Sequence, residues 1–250
     1  MVTVQVRNLE IGSERAKICV PIVDTTEQKI LETAEKIVNA GADLVEWRAD
    51  WFEDVFDSEK VQEVLGKLRG VLGELPVLFT CRTSNEGGQI NLTKEQYLFL
   101  IQCAIESGHA DLIDLEIFSY KDVAERIVEM AHGKNVKVVG SNHDFQSTPE
   151  KDEIVKRMCS IQSCGVDIGK IAVMPQNRQD VLTLLSATEE MVREHDDTPI
   201  VTMSMGTQGI ISRICGEVFG SAMTFATVGK ASAPGQLAIE ELREAMKVLR

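Results

Sequence analysis

The chain has 250 residues, with 26 lysines and arginines against 39 aspartates and glutamates, for a formal net charge of −13. That balance argues against nucleic acid and against an anionic membrane surface as partners, because both demand a concentrated positive field. A content of 44% hydrophobic and 26% charged residues belongs to a folded globule with a sizeable core, not to a disordered chain.

In chain order, the first signal is a small hairpin within residues 1–15, with Val2 to Val6 and Ile11 on either side of a turn at Asn8. Eight β-rich apolar runs follow, at 18–23, 44–47, 77–80, 112–117, 136–141, 168–173, 200–203 and 224–228. Amphipathic stretches separate them. Ile30, Ala34, Ile37 and Val38 are spaced to share a helix face, as are Val61, Val64, Leu65 and Leu68. Ile127, Val128 and Ala131 mark another face, and Leu182, Leu185 and Met191 a further one. Ser58, Thr93, Ser119 and Thr148 precede helical patterns as N-cap candidates, with Pro149 in a first turn. Gly41, Gly108, Gly133 and Gly165 stand where left-handed C-terminal caps are expected.

Eight β/α units in this length predict an α/β fold of the (β/α)₈ TIM-barrel type, a single domain over 1–250, with the hairpin closing its bottom. An open doubly wound sheet fits less well, because no glycine-rich dinucleotide turn is present. Residues 1–7 lack the basic and apolar regions of a secretory signal, and the apolar run 97–105, interrupted by Gln102, is too short to span a bilayer. Six cysteines lack zinc spacing or a CxxC pair. The expectation is a cytoplasmic protein with reduced thiols.

Charged residues inside barrel strands stand out, since the lumen is normally filled by branched aliphatics. In the second strand Leu44, Glu46 and Arg48 share one face while Val45 and Trp47 take the other. The two charged groups form either a self-satisfying pair or a clamp for an anion or hydroxyl. In the sixth strand Lys170 shares a face with Ile168 and Ala172. It either snorkels outward or points into the lumen, where desolvation and nearby cations would favour the neutral amine that attacks ketones. His143, at the end of the fifth strand, is a general acid/base candidate. Arg82 and Glu86 follow the third strand, one suited to an anion and the other to orienting an imidazole; a solvated loop is the alternative. Asp114 and Glu116 are possible inward partners for the arginines, without assigned chemistry. After the seventh strand, Gly206 to Gly209 open a helix that carries Arg213, a setting for anion binding. The small-residue loop 230–236, with Ser232 and Gln236, is either a lid or simply the last connection.

Taken together, Glu46-Trp47-Arg48, Phe79-Thr80-Cys81-Arg82 with Glu86-Gly87-Gly88, Ser141-Asn142-His143-Asp144-Phe145 and Lys170-Ile171-Ala172-Val173-Met174-Pro175 resemble the type I 3-dehydroquinate dehydratases. The resemblance continues through Thr202-Met203-Ser204-Met205, Ser212-Arg213, Gly216 to Ser221 and Ser232-Ala233-Pro234-Gly235-Gln236, in the same order along the chain. It implies a (β/α)₈ barrel, typically a homodimer, that uses no metal and no cofactor. It also implies the substrate 3-dehydroquinate, dehydrated to 3-dehydroshikimate by syn elimination within the shikimate pathway of aromatic amino-acid biosynthesis.

By the same resemblance Lys170 would form an imine with the C3 ketone, His143 would move the protons, and Glu86 would hold His143. Arg213 would grip the carboxylate. Glu46, Arg48, Arg82, Ser232 and Gln236 would bind hydroxyls or close the pocket, with Met203, Met205 and Phe225 as walls. Pro21 stands where some relatives carry a serine, so that hydroxyl contact is missing here. Arg48, Arg82, Arg213 and Lys170 would make a small cationic pocket in an acidic shell. Two other readings stand beside this one: a Schiff-base lyase acting on a phosphosugar, and a catalytically silent barrel that binds a carboxylate or a partner protein.

Overall fold

The computed structural model describes residues 2–13 and 15–249; the expected hairpin and domain also take in Met1, Glu14 and Arg250, which lie outside the described residues. A hairpin of β1 (Val4–Val6) and β2 (Leu9–Ile11) comes first. Eight parallel strands then alternate with helices: β3 (Lys17–Ile22), β4 (Leu44–Arg48), β5 (Val77–Thr80), β6 (Leu112–Glu116), β7 (Lys137–Asp144), β8 (Ile168–Val173), β9 (Ile200–Ser204) and β10 (Met223–Phe225). They pair in the order β10-β3-β4-β5-β6-β7-β8-β9. The ends of that sheet meet where Ile200 bridges Ser221 and the Ala222 N–H donates to the Ile200 carbonyl at 2.7 Å. The result is a nearly closed (β/α)₈ barrel.

The helices are α1 (Glu27–Ala40), α2 (Ser58–Leu72), α3 (Lys94–Glu106), α4 (Lys121–His132), α5 (Lys151–Gln162), α6 (Arg178–Glu194), α7 (Gly206–Cys215) and α8 (Ile239–Lys247). Their apolar stripes meet the outward faces of the strands. Val45, Trp47, Phe79, Ile113, Leu115, Ile171 and Val173 belong to that outer core, with Ile30, Leu65, Tyr97 and Ile161 from the helices. Among the described residues no helix is long and apolar enough to cross a membrane.

Several local expectations need correcting. Asp57, not Ser58, caps α2, its carboxylate accepting from the Glu59 and Lys60 N–H groups. Thr93 does cap α3, in a reciprocal capping box with Gln96. The residues preceding α4 and α5 are Tyr120 and Glu150 instead of Ser119 and Thr148, and the Thr148 hydroxyl donates to the Met174 carbonyl. Gly133 stays right-handed at φ −61, and Asn135 takes the positive φ of 59 after α4. Val38 and Leu182 are exposed; on α6 the buried face runs instead through Val181, Leu184, Leu185 and Met191. The reason is angular: Leu182 lies one residue, about 100°, off the stripe that its neighbour Val181 occupies.

The lumen divides the molecule functionally. Its lower half is apolar, made of Cys19, Leu44, Leu78, Leu112, Val139, Ile168, Val201 and Met223. Val4, Val6 and Ile11 of the hairpin pack on that layer, and Arg7 pairs with Asp111 just before β6 at 2.6 Å, so the hairpin plugs the N-terminal end. Two residues further along most strands, the same inward face turns polar: Glu46, Thr80, Asp114, Ser141 and Lys170 are all buried. The strand period of two carries both halves on one face.

Candidate active site

The polar half of the lumen opens at the C-terminal ends of the strands into a cavity. Its walls are Glu46, Arg48, Arg82, Glu86, His143, Lys170, Met203, Met205, Phe225, Ser232 and Gln236, together with Gly87, Phe145, Ala172 and Ala233. Eleven of the twelve residues expected from the sequence therefore share one cavity. The twelfth, Arg213, lies fully buried behind Met203, with Nη1 3.6 Å from the Met203 sulfur. Pro21 does not line the cavity.

Lys170 points inward, not out to solvent, and is only 3% exposed. Its Nζ lies 3.3 Å from Asp114 Oδ2, 3.7 Å from Glu46 Oε1 and 4.6 Å from the centre of the Phe225 ring. Ser141 stands beside it on β7 and His143 beside Ala172, so the amine and the imidazole face the same space from adjacent strands.

His143 Nδ1 is 2.8 Å from Glu86 Oε2, which also accepts the His143 backbone N–H at 2.9 Å. Burial, then Arg82, Lys170 and Arg48, hold the imidazole well below its usual 6.5, so it is neutral near pH 7 and able to accept a proton. Burial, reinforced by Glu116 and Asp114, pushes the Glu86 carboxyl up to about 8 against the opposing pull of Arg82. Both shifts express the cost of charge in a closed mouth. The loop that delivers Glu86 needs two glycines: a Cβ on Gly87 (φ +83) would sit 2.3 Å from the Phe145 ring, and one on Gly88 would sit 1.8 Å from the Arg82 carbonyl oxygen.

The expected cationic pocket is instead charge-compensated. Arg48 is held in a bidentate pair by Asp50, at 2.7 and 2.8 Å. Arg82 contacts Asp114 at 2.8 Å, Glu116 at 3.1 Å and Glu86 at 3.6 Å. Burial alone would weaken its charge, but Asp114, Glu116 and Glu86 outweigh that and keep the guanidinium well above its ordinary range. Three of the four cations, Arg48, Arg82 and Lys170, thus meet carboxylates, because an unpaired buried charge is costly. Asp50 escaped the sequence reading, although its place two residues after Arg48 was the available signal. Asp114 and Glu116 do serve as inward partners.

Arg213 is the exception. Its Nη2 donates to the Pro234 carbonyl at 3.1 Å, its Nε has no partner among the described residues, and burial alone pulls it down to about 10. No carboxylate is among the causes of that shift. The glycines after β9 serve close packing: a Cβ on Gly209 would lie 2.2 Å from the Ser204 carbonyl oxygen. The Gly206 N–H already donates to Pro234, so the start of α7 is covered by the 230–236 loop. That loop is internally tied, Gln236 Nε2 donating to Ser232 Oγ at 3.0 Å. Its Lys230 ammonium lies 3.8 Å above the Trp51 ring.

A model of the type I 3-dehydroquinase family matches residues 18–250. The chain belongs to the type I 3-dehydroquinase family. It is accordingly an enzyme of the hydro-lyase class. A 3-dehydroquinate dehydratase of Clostridium botulinum is 50% identical over 98% of this chain and 97% of that protein. One of Clostridioides difficile is 47% identical over 98% of this chain and 96% of its own length. A crystal structure of the type I enzyme from Clostridium difficile with covalently modified comenic acid superposes with a TM-score of 0.96 at 47% identity, covering 99% of this chain and 98% of that one. Family membership sets aside both the phosphosugar lyase and the silent barrel.

Proposed function

We propose that the protein converts 3-dehydroquinate into 3-dehydroshikimate through an imine on Lys170, within the biosynthetic shikimate pathway. The observation that carries this reading is the Lys170 amine, sequestered in the lumen beside a neutral imidazole in one cavity. A proton alpha to a ketone is too weakly acidic for an imidazole to remove readily. A protonated imine supplies the electron sink that makes His143 sufficient.

In this reading the substrate carboxylate provides the counter-ion that Arg213 lacks, assisted by Ser232 and Gln236. Glu46, Arg48 and Arg82 receive the ring hydroxyls, and Met203, Met205 and Phe225 pack on the ring. His143 removes the C2 proton and returns one to the departing C1 hydroxyl on the same side, giving syn elimination, while Glu86 holds its ring. No metal or cofactor is needed for any of these steps. The protein is taken to work in the cytoplasm as a homodimer, a single barrel domain over residues 1–250. The test is borohydride reduction in the presence of 3-dehydroquinate followed by peptide mapping. Added mass on Lys170 is expected; its absence, or its presence elsewhere, overturns the mechanism. Lys170→Ala should lose turnover yet retain substrate binding.

A further inference from the structure

We propose that Asp114 is the counter-ion that keeps the imine nitrogen of Lys170 protonated, an inference that rests on the imine mechanism above. Asp114 occupies the middle inward position of β6 and is 1% exposed. It does not line the cavity, yet its Oδ2 is within reach of the reacting nitrogen. Its oxygens are already engaged: Ser141 Oγ donates to Oδ1 at 2.6 Å, and Oδ2 contacts Arg82 Nη2 at 2.8 Å and Lys170 Nζ at 3.3 Å. Burial by itself would neutralise this carboxyl, but Arg82, Lys170 and Ser141 more than offset it and hold it below the usual carboxylate range. It is therefore a fixed negative charge and not a proton carrier.

The nitrogen changes charge during the reaction. The imidazole takes one proton from the Lys170 ammonium, and the freed amine lone pair forms the C3–N bond as the C3–O π pair moves to oxygen. That oxygen leaves as water with two protons, one from the nitrogen and the one that the imidazole had taken, and a C=N⁺H group remains. In bulk water such an imine loses its proton near neutrality, and a neutral imine is a poor electron sink. An anion held 3.3 Å away opposes that loss.

The other groups facing the nitrogen serve this role less well. Glu46 on β4 is farther, at 3.7 Å, lines the cavity and accepts the Thr80 hydroxyl. Arg82 and His143 favour the neutral imine, and Cys19 on β3 has a thiol that burial holds well above its usual range, so it carries no charge.

The test is borohydride trapping with 3-dehydroquinate across pH, because borohydride reduces the protonated imine. In the wild type, labelling at Lys170 should be nearly constant from about pH 6 to about pH 9; in Asp114→Asn it should match at the acid end and fall about tenfold at the alkaline end. Ser141→Ala, which keeps the charge but removes one hydrogen bond to it, should show a smaller alkaline loss. An Asp114→Asn profile as flat as the wild type overturns the proposal, and so does loss of labelling at every pH by a folded variant, which indicates a structural role. If Asp114→Asn does not fold, Ser141→Ala decides, and a flat profile there overturns it. A wild type unlabelled at Lys170 refutes the imine mechanism itself, a separate and distinguishable failure.

Discussion

Replacing Arg213 with methionine should make the free protein more stable while weakening its grip on the substrate. The guanidinium is 1% exposed and faces no carboxylate. Its pKa, pulled by burial from the ordinary arginine range down to about 10, means that the cation costs on the order of 3 kcal/mol more to hold in the fold than in water. For a cation with a lowered folded pKa, that penalty is fully present below about pH 10 and fades as pH rises from there into the ordinary arginine range. At neutral pH it is therefore undiminished. Arg213→Met removes it and forfeits the hydrogen bond to Pro234 O, worth about 1 kcal/mol. The net expectation is a gain of roughly 2 kcal/mol, or about 4–8 °C in Tm for a chain of this size. Binding should move the other way: losing charge-assisted hydrogen bonds to a carboxylate costs about 3 kcal/mol, roughly a hundredfold in affinity. Scanning calorimetry with and without a carbocyclic hydroxy acid reads both effects, because only the wild type should gain Tm from the ligand. A variant that is destabilised and yet binds the acid like the wild type would refute the reasoning.

Asp50→Ala should cost about 3–5 kcal/mol in urea unfolding, since it leaves Arg48 buried and unpaired; a loss under 1 kcal/mol would show that Arg48 finds another partner. Gly87→Ala forces a methyl to 2.3 Å from the Phe145 ring at a positive φ, so kcat should fall at least tenfold with a lower Tm; unchanged kinetics would mean the loop has room to shift. Because burial holds His143 well below 6.5, the acid limb of kcat/KM should fall below that value, not at it; an acid limb at or above 6.5 would contradict a neutral resting imidazole.

Most of the barrel was legible in the sequence because its two periods are strong: apolar runs of strand length, and stripes such as Ile30, Ala34 and Ile37. Lys170 and Arg48 stood out because a charge on an inward strand position violates the aliphatic rule of the lumen. What the sequence hid was pairing across the barrel. Arg82 meets Asp114 and Glu116 only because β5 and β6 lie side by side, a relation that linear spacing does not carry. For the same reason a pocket counted as cationic from its arginines is compensated in space. Caps were less readable, as at Asp57 and Ser58, where two adjacent residues are both good N-caps and only backbone geometry chooses between them.

That compensation makes the site a filter for ligand valence. Arg82 and Arg48 already spend their charge on Asp114, Glu116 and Asp50, so a molecule entering with one carboxylate finds one cation, Arg213, without an anion among the described residues. A second anionic group, a phosphate for instance, would have to settle against a wall that holds Glu46 and cations already paired to other carboxylates. Inhibitors for this mouth should therefore be monoanions whose remaining polarity is hydroxyl, and adding charge to gain solubility should lose affinity.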